Sequence, residues 1–67
     1  MGTVTVRYKG RNLGLLFRTQ MTVLDVVHTI LKGLSSNWEA VLVRHGTNLG
    51  GNLEQLVQDG DIIQVTR

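Results

Sequence analysis

The feature that most constrains this chain is one amphipathic stripe. Val23, Val26, Val27, Ile30, Leu31 and Leu34 follow i, i+3, i+4, i+7, i+8, i+11 spacing, which places them on a single helical face. Thr22 is a good N-cap residue, and Asp25 three positions on completes an acidic capping box while lying where the helix dipole favours negative charge. Met21, just before the cap, is placed to staple against Val26. Gly33 or the Ser35-Ser36-Asn37 run is the expected stop. Three of the six stripe residues are valines, poor helix formers alone, so the helix needs a surface to lie on.

Strands supply that surface. Thr3–Tyr8 alternates with period two, Val4 and Val6 on one face and Thr3, Thr5 and Arg7 on the other. Lys9-Gly10-Arg11-Asn12 is a polar turn, after which Leu13, Leu15 and Phe17 form an inward set and leave Leu16 and Arg18 outward. Ala40–Arg44 reads as a third strand turned by His45-Gly46-Thr47-Asn48, and a short fourth surrounds Leu49. Asn52, with Gln55 three on, is expected to cap one helical turn over 53–57 that buries Leu53, Leu56 and Val57. Asp59-Gly60-Asp61 is a turn, and Ile62–Thr66 the last strand. The plan is α+β: ββαββ, a mixed sheet with one helix across one face, in a single domain spanning 1–67.

Composition excludes several classes. Hydrophobic residues at 42% and charged residues at 18% are too apolar and too weakly charged for a disordered chain. Cys is absent, so neither disulfides nor thiolate metal sites support the core, and a cytoplasmic setting is expected. No apolar run approaches the roughly 18 residues of a membrane span. Residues 1–34 hold five of the seven Lys and Arg and, among the acids, only Asp25; residues 35–67 hold Arg44 and Arg67 against Glu39, Glu54, Asp59 and Asp61. That is a polarity of charge, not a nucleic-acid-binding stripe. A chain this small forms no deep water-excluding cleft, so a binding protein rather than an enzyme is expected.

The hairpin, the Thr22-Val23-Leu24-Asp25-Val26-Val27 helix start, the Val41-Leu42-Val43 strand and the Leu56-x-x-Asp59-Gly60-Asp61-Ile62-Ile63-Gln64-Val65 ending together resemble the ubiquitin-like β-grasp family. Within it the chain is most similar to the ThiS/MoaD-type sulfur carriers of thiamine and molybdopterin synthesis and to the TGS domains of synthetases and GTPases. The carrier resemblance implies a flexible tail ending in Gly-Gly, whose terminal carboxylate is adenylated and converted to a thiocarboxylate. This sequence reads Val65-Thr66-Arg67 at that point, and Gly50-Gly51 is internal without a free carboxylate. Carrier chemistry therefore requires a Gly-Gly beyond Arg67. The TGS resemblance implies RNA contact, favoured by the basic first hairpin and disfavoured by the few aromatics, Tyr8, Phe17 and Trp38.

No residue set points to catalysis, a cofactor or a metal. His28 and His45 lie on different elements without further ligands nearby in sequence, and Ser35 or Ser36 lacks a nucleophile-elbow context. Gly46–Gly51 lacks the Lys-Ser/Thr of a phosphate-binding loop and reads as tight turns. Trp38 is expected to cover the end of the core. The expected functional surface is the open sheet face. With Val41, Val43, Ile63 and Val65 beneath the helix, alternation turns Leu42, Arg44, Ile62, Gln64 and Thr66 outward, beside Thr3, Thr5, Arg7, Leu16 and Arg18. Aliphatics mixed with Arg suit a protein partner, and the resemblance implies docking through this side of the sheet. Neither membrane nor metal is expected as a partner.

Overall fold

The computed structural model describes residues 1–34 and 36–67. Strands β1 (Gly2–Tyr8) and β2 (Arg11–Phe17) precede helix α1 (Val23–Ile30), which is followed by β3 (Glu39–Arg44), β4 (Thr47–Asn48) and β5 (Ile62–Thr66). They form one mixed sheet in the order β2-β1-β5-β3-β4. The first and last strands thus lie side by side and parallel at its centre, while every other pairing is antiparallel. One helix against one face of this small α+β sheet is compatible with a β-grasp-like plan. No helix among the described residues is long and apolar enough to cross a membrane.

Local chemistry sets the turns and the helix start. The β1–β2 and β3–β4 hairpins close through two residues each, Lys9-Gly10 and His45-Gly46, all with φ between 50° and 77°. That is the twist-matched geometry of short hairpins; Gly10 and Gly46 meet the second positive φ without a Cβ, while Lys9 and His45 carry the first despite theirs. Arg11, Asn12, Thr47 and Asn48, expected in the turns, are therefore strand residues. The capping box is present: the Asp25 amide donates to Thr22 Oγ1 (3.1 Å) and the Thr22 amide to Asp25 Oδ2 (3.2 Å). The helix ends at Leu31, whose amide still reaches Val27 O. Val23, Val26 and Val27 are buried, and Ile30, Leu31 and Leu34 pack more loosely at the core edge. Ser35 lies outside the described residues.

The core lies between α1 and the sheet. Val4, Val6, Phe17, Ile63 and Val65 fill it as expected, with Leu13 and Leu15 half-buried. The third strand is inverted relative to the expectation. Ala40 and Leu42 point inward, 4% and 1% exposed, whereas Val41 and Val43 face outward. Ala40 to Val43 is apolar in both phases, so alternation could not choose; pairing Leu42 with Ile63 across β3–β5 does. Arg44, two residues on, consequently lies on the helix side.

Segment 53–57 forms no helix, although Asn52 does cap a turn at its start, its Oδ1 accepting from Glu54 N–H (3.0 Å) and its O from Gln55 N–H (3.3 Å). The segment's carbonyls serve α1 instead: Val23 N–H donates to Gln55 O and Leu24 N–H to Leu53 O, both at 3.0 Å. These satisfy two of the donors that every helix start leaves unpaired. Val57 is buried and Leu53 half-buried, while Leu56, expected inside, is 46% exposed. The loop before β5 is sewn to β1, with Thr3 N–H donating to Asp59 Oδ1 (2.8 Å), Gly60 N–H to Thr3 O (2.8 Å) and Thr5 N–H to Asp61 O (3.0 Å).

Candidate docking face

The sheet face away from α1 has no element packed on it among the described residues, and its register can be read row by row. The longest row runs Gly14, Thr5, Ile62, Val43, Asn48 across all five strands. The next runs Asn12, Arg7, Gln64, Val41, and beyond it Thr66 lies opposite Glu39. Ile62 and Val43 are direct cross-strand partners and Val41 is diagonal to Ile62, so three half-exposed aliphatics form one patch. Arg7, Gln64 and Thr66, all exposed, border it. Leu16, 58% exposed, stands apart at the β2 edge beside Thr3.

Of the expected docking residues, Ile62, Gln64 and Thr66 share this face, together with Thr3, Thr5, Arg7 and Leu16. Arg18 follows the end of β2. Leu42 and Arg44 do not share it. Leu42 belongs to the core, and Arg44 forms a two-pronged ion pair with Asp61, Nε to Oδ1 and Nη2 to Oδ2, each 2.9 Å. Arg44 Nη2 also donates to Leu56 O, and the Gln58 amide donates to Asp61 Oδ2 at 2.7 Å. Asp61 is 1% exposed. Burial pushes its carboxyl up; the Arg44 guanidinium, the Gln58 amide and the nearby charges of Arg44 and His45 outweigh that and hold it below the usual carboxylate range. The hydrogen bond to Asp61 likewise raises Arg44, against the effect of burial. The Arg44–Asp61 pair is thus a structural tie between β3 and the loop before β5.

Sequence reasoning missed Val41 and Val43, which take the places assigned to Leu42 and Arg44. It also missed the buried role of Asp61, masked by the turn signal of Asp59-Gly60-Asp61. An unpaired Arg at a strand end and an Asp ahead of the neighbouring strand is the signal that could have found the pair. Elsewhere, His28 sits edge-on to Trp38, ring centroids 6.1 Å apart, and His45 occupies a hairpin turn. Among the described residues no group of three or more His, Cys, Asp or Glu is placed to hold a metal ion. No family model, curated protein or solved structure matches the chain.

Proposed function

We propose that the chain is a non-catalytic, ubiquitin-like β-grasp protein that docks onto a protein partner through its open sheet face. The observation that carries this reading is the contiguous Val41–Val43–Ile62 patch on a face that no part of the described chain covers. Burying such a patch supplies association energy, and its rim offers Arg7 as a guanidinium for a partner carboxylate and Gln64 for hydrogen bonds.

The test compares capture by the immobilised chain of proteins from its native host. Wild type is set against Val43→Asp, Ile62→Asp and a helix-side control, Thr29→Asp, each first shown by thermal melt to be folded. The reading expects one protein captured by wild type and the control and lost, by at least about tenfold, with both sheet-face variants. Equal capture by all four would refute it. Capture of RNA instead, abolished by raising salt, would favour the basic first hairpin and overturn it as well.

A further inference from the structure

A cleft of about 370 Å³ opens at the edge of β3, lined by Trp38, Glu39, Ala40, Val41, Gly51 and Leu53. Its size is at the lower end of ligand-binding clefts, roughly 300–1,000 Å³. It spans the strand edge, reaching Val41 of the open face and Ala40 and Leu53 of the core side. The reason is that β4 is short and covers only the last part of β3. Leu42 N–H donates to Gly50 O (3.1 Å) and Leu49 N–H donates to Leu42 O (2.7 Å). After Gly50 the chain turns away towards the helix start.

The ladder then leaves Ala40 unpaired. In an antiparallel pair, successive residues turn their peptide groups alternately towards and away from the partner strand. Leu42 uses both of its groups on the β4 side, so Ala40, two residues earlier, presents its N–H and C=O to that side as well. β5 offers it nothing: Thr5 N–H bonds Asp61 O on the β1 side, so by the same alternation Ile63 and Val65 address β1. Among the described residues no hydrogen bond reaches Ala40 from β4, a loop or a side chain. Yet Ala40 is only 4% exposed, and nearly buried peptide groups are normally paired. Gly51 passes so close that a Cβ there would stand 3.3 Å from Ala40 O. Any side chain at that position would press against the carbonyl.

We propose that this cleft is a peptide-binding site, taking an extended segment of a partner protein that continues the sheet where β4 ends. One residue of the segment accepts from Ala40 N–H and donates to Ala40 O. Its apolar side chain lies against Trp38 and Leu53, the half-buried apolar walls of the cleft. Glu39 lines the site, Glu54 adjoins it in sequence, and no basic residue lines it, so the segment carries Lys or Arg beside its apolar anchor. Main-chain pairing with alternate side-chain pockets is the general logic of strand addition. The cleft shares Val41 with the Val41–Val43–Ile62 patch, but Val43 and Ile62 do not line it, so Val43→Asp and Ile62→Asp test docking on the open face apart from peptide binding here.

Trp38 is the chain's only tryptophan, so its emission reports occupancy directly. The probe is a capped pentapeptide, acetyl-Lys-Val-Leu-Val-Lys-amide, compared with the same peptide N-methylated at Leu and with a version carrying Glu for Lys. The expected result is a saturable change in Trp38 emission with a midpoint below about 1 mM. It should be accompanied by downfield movement and slowed exchange of the Ala40 amide in 15N–1H spectra. N-methylation and charge reversal should each weaken binding at least about tenfold, losses of order 1.4 kcal/mol. Gly51→Val, whose Cβ would stand 3.3 Å from Ala40 O, should abolish binding, its folding checked by thermal melt; Gly14→Ala, on the opposite edge and in open space, should leave it unchanged. No saturable signal, an N-methylated peptide that binds equally well, or an Ala40 amide that is unmoved would each overturn the proposal. The peptide comparisons decide it even if Gly51→Val does not fold.

Discussion

The inverted third strand makes a quantitative prediction about two adjacent residues. Leu42 is 1% exposed and lies opposite Ile63 in the core, whereas Val43 faces out beside Ile62. Leu42→Ala removes about three buried carbons, worth roughly 2.4 kcal/mol at about 0.8 kcal/mol each. The unfilled cavity raises the total to about 3–5 kcal/mol. A chain of 67 residues unfolds with an entropy of roughly 0.14 kcal/mol/K, so this corresponds to a Tm lower by about 20–35 °C. Total stability at this size is about 3–10 kcal/mol, which leaves Leu42→Ala near the edge of folding. Leu42→Val, losing about one carbon, provides the graded point at about 1 kcal/mol, or ~7 °C. Val43→Ala should cost less than about 1 kcal/mol, because its site is already partly wet. Thermal and urea melts followed by circular dichroism, with m unchanged, measure all three. If Val43→Ala costs as much as Leu42→Ala, the strand has the opposite phase, and both the core and the docking face described above are wrong.

Two further predictions concern the ties at the end of the sheet. The folded Asp61 carboxyl lies below its ordinary value, so its stabilising contribution is complete above the unfolded pKa, about 4, and is lost as pH falls through the folded value. Asp61→Asn should therefore be less stable at neutral pH and show a shallower loss of urea midpoint below about pH 4; parallel acid limbs for the two proteins would contradict the assignment. Gly2 is buried where a Cβ would lie 2.6 Å from Asp59 Cβ and 2.9 Å from its Cα, so Gly2→Ala should force the β1–loop contact apart at about 1–3 kcal/mol. A wild-type urea midpoint in that variant would show that the loop yields freely.

What the sequence alone determined is local. The start of α1 was legible because the Thr22–Asp25 box is completed within four residues, and the hairpins because a polar residue followed by glycine meets the need for positive φ at Lys9-Gly10 and His45-Gly46. The phase of β5 was legible too, since Gln64 and Thr66 break its apolar run and turn Ile63 and Val65 inward. Ala40-Val41-Leu42-Val43 has no such marker. Its phase was decided by the pairing with Ile63 and by the tie between Arg44 and Asp61, partners 17 residues apart. Likewise Asn52 to Val57 carries a helix-like pattern and closes one turn at Asn52, but the unpaired amides of Val23 and Leu24 take the carbonyls of Gln55 and Leu53 and the segment does not continue as a helix. The docking face and the cleft beside Ala40 depend on those same long-range choices. Short-range spacing specifies which groups a residue offers; which of them stay unspent is known only once distant strands have paired.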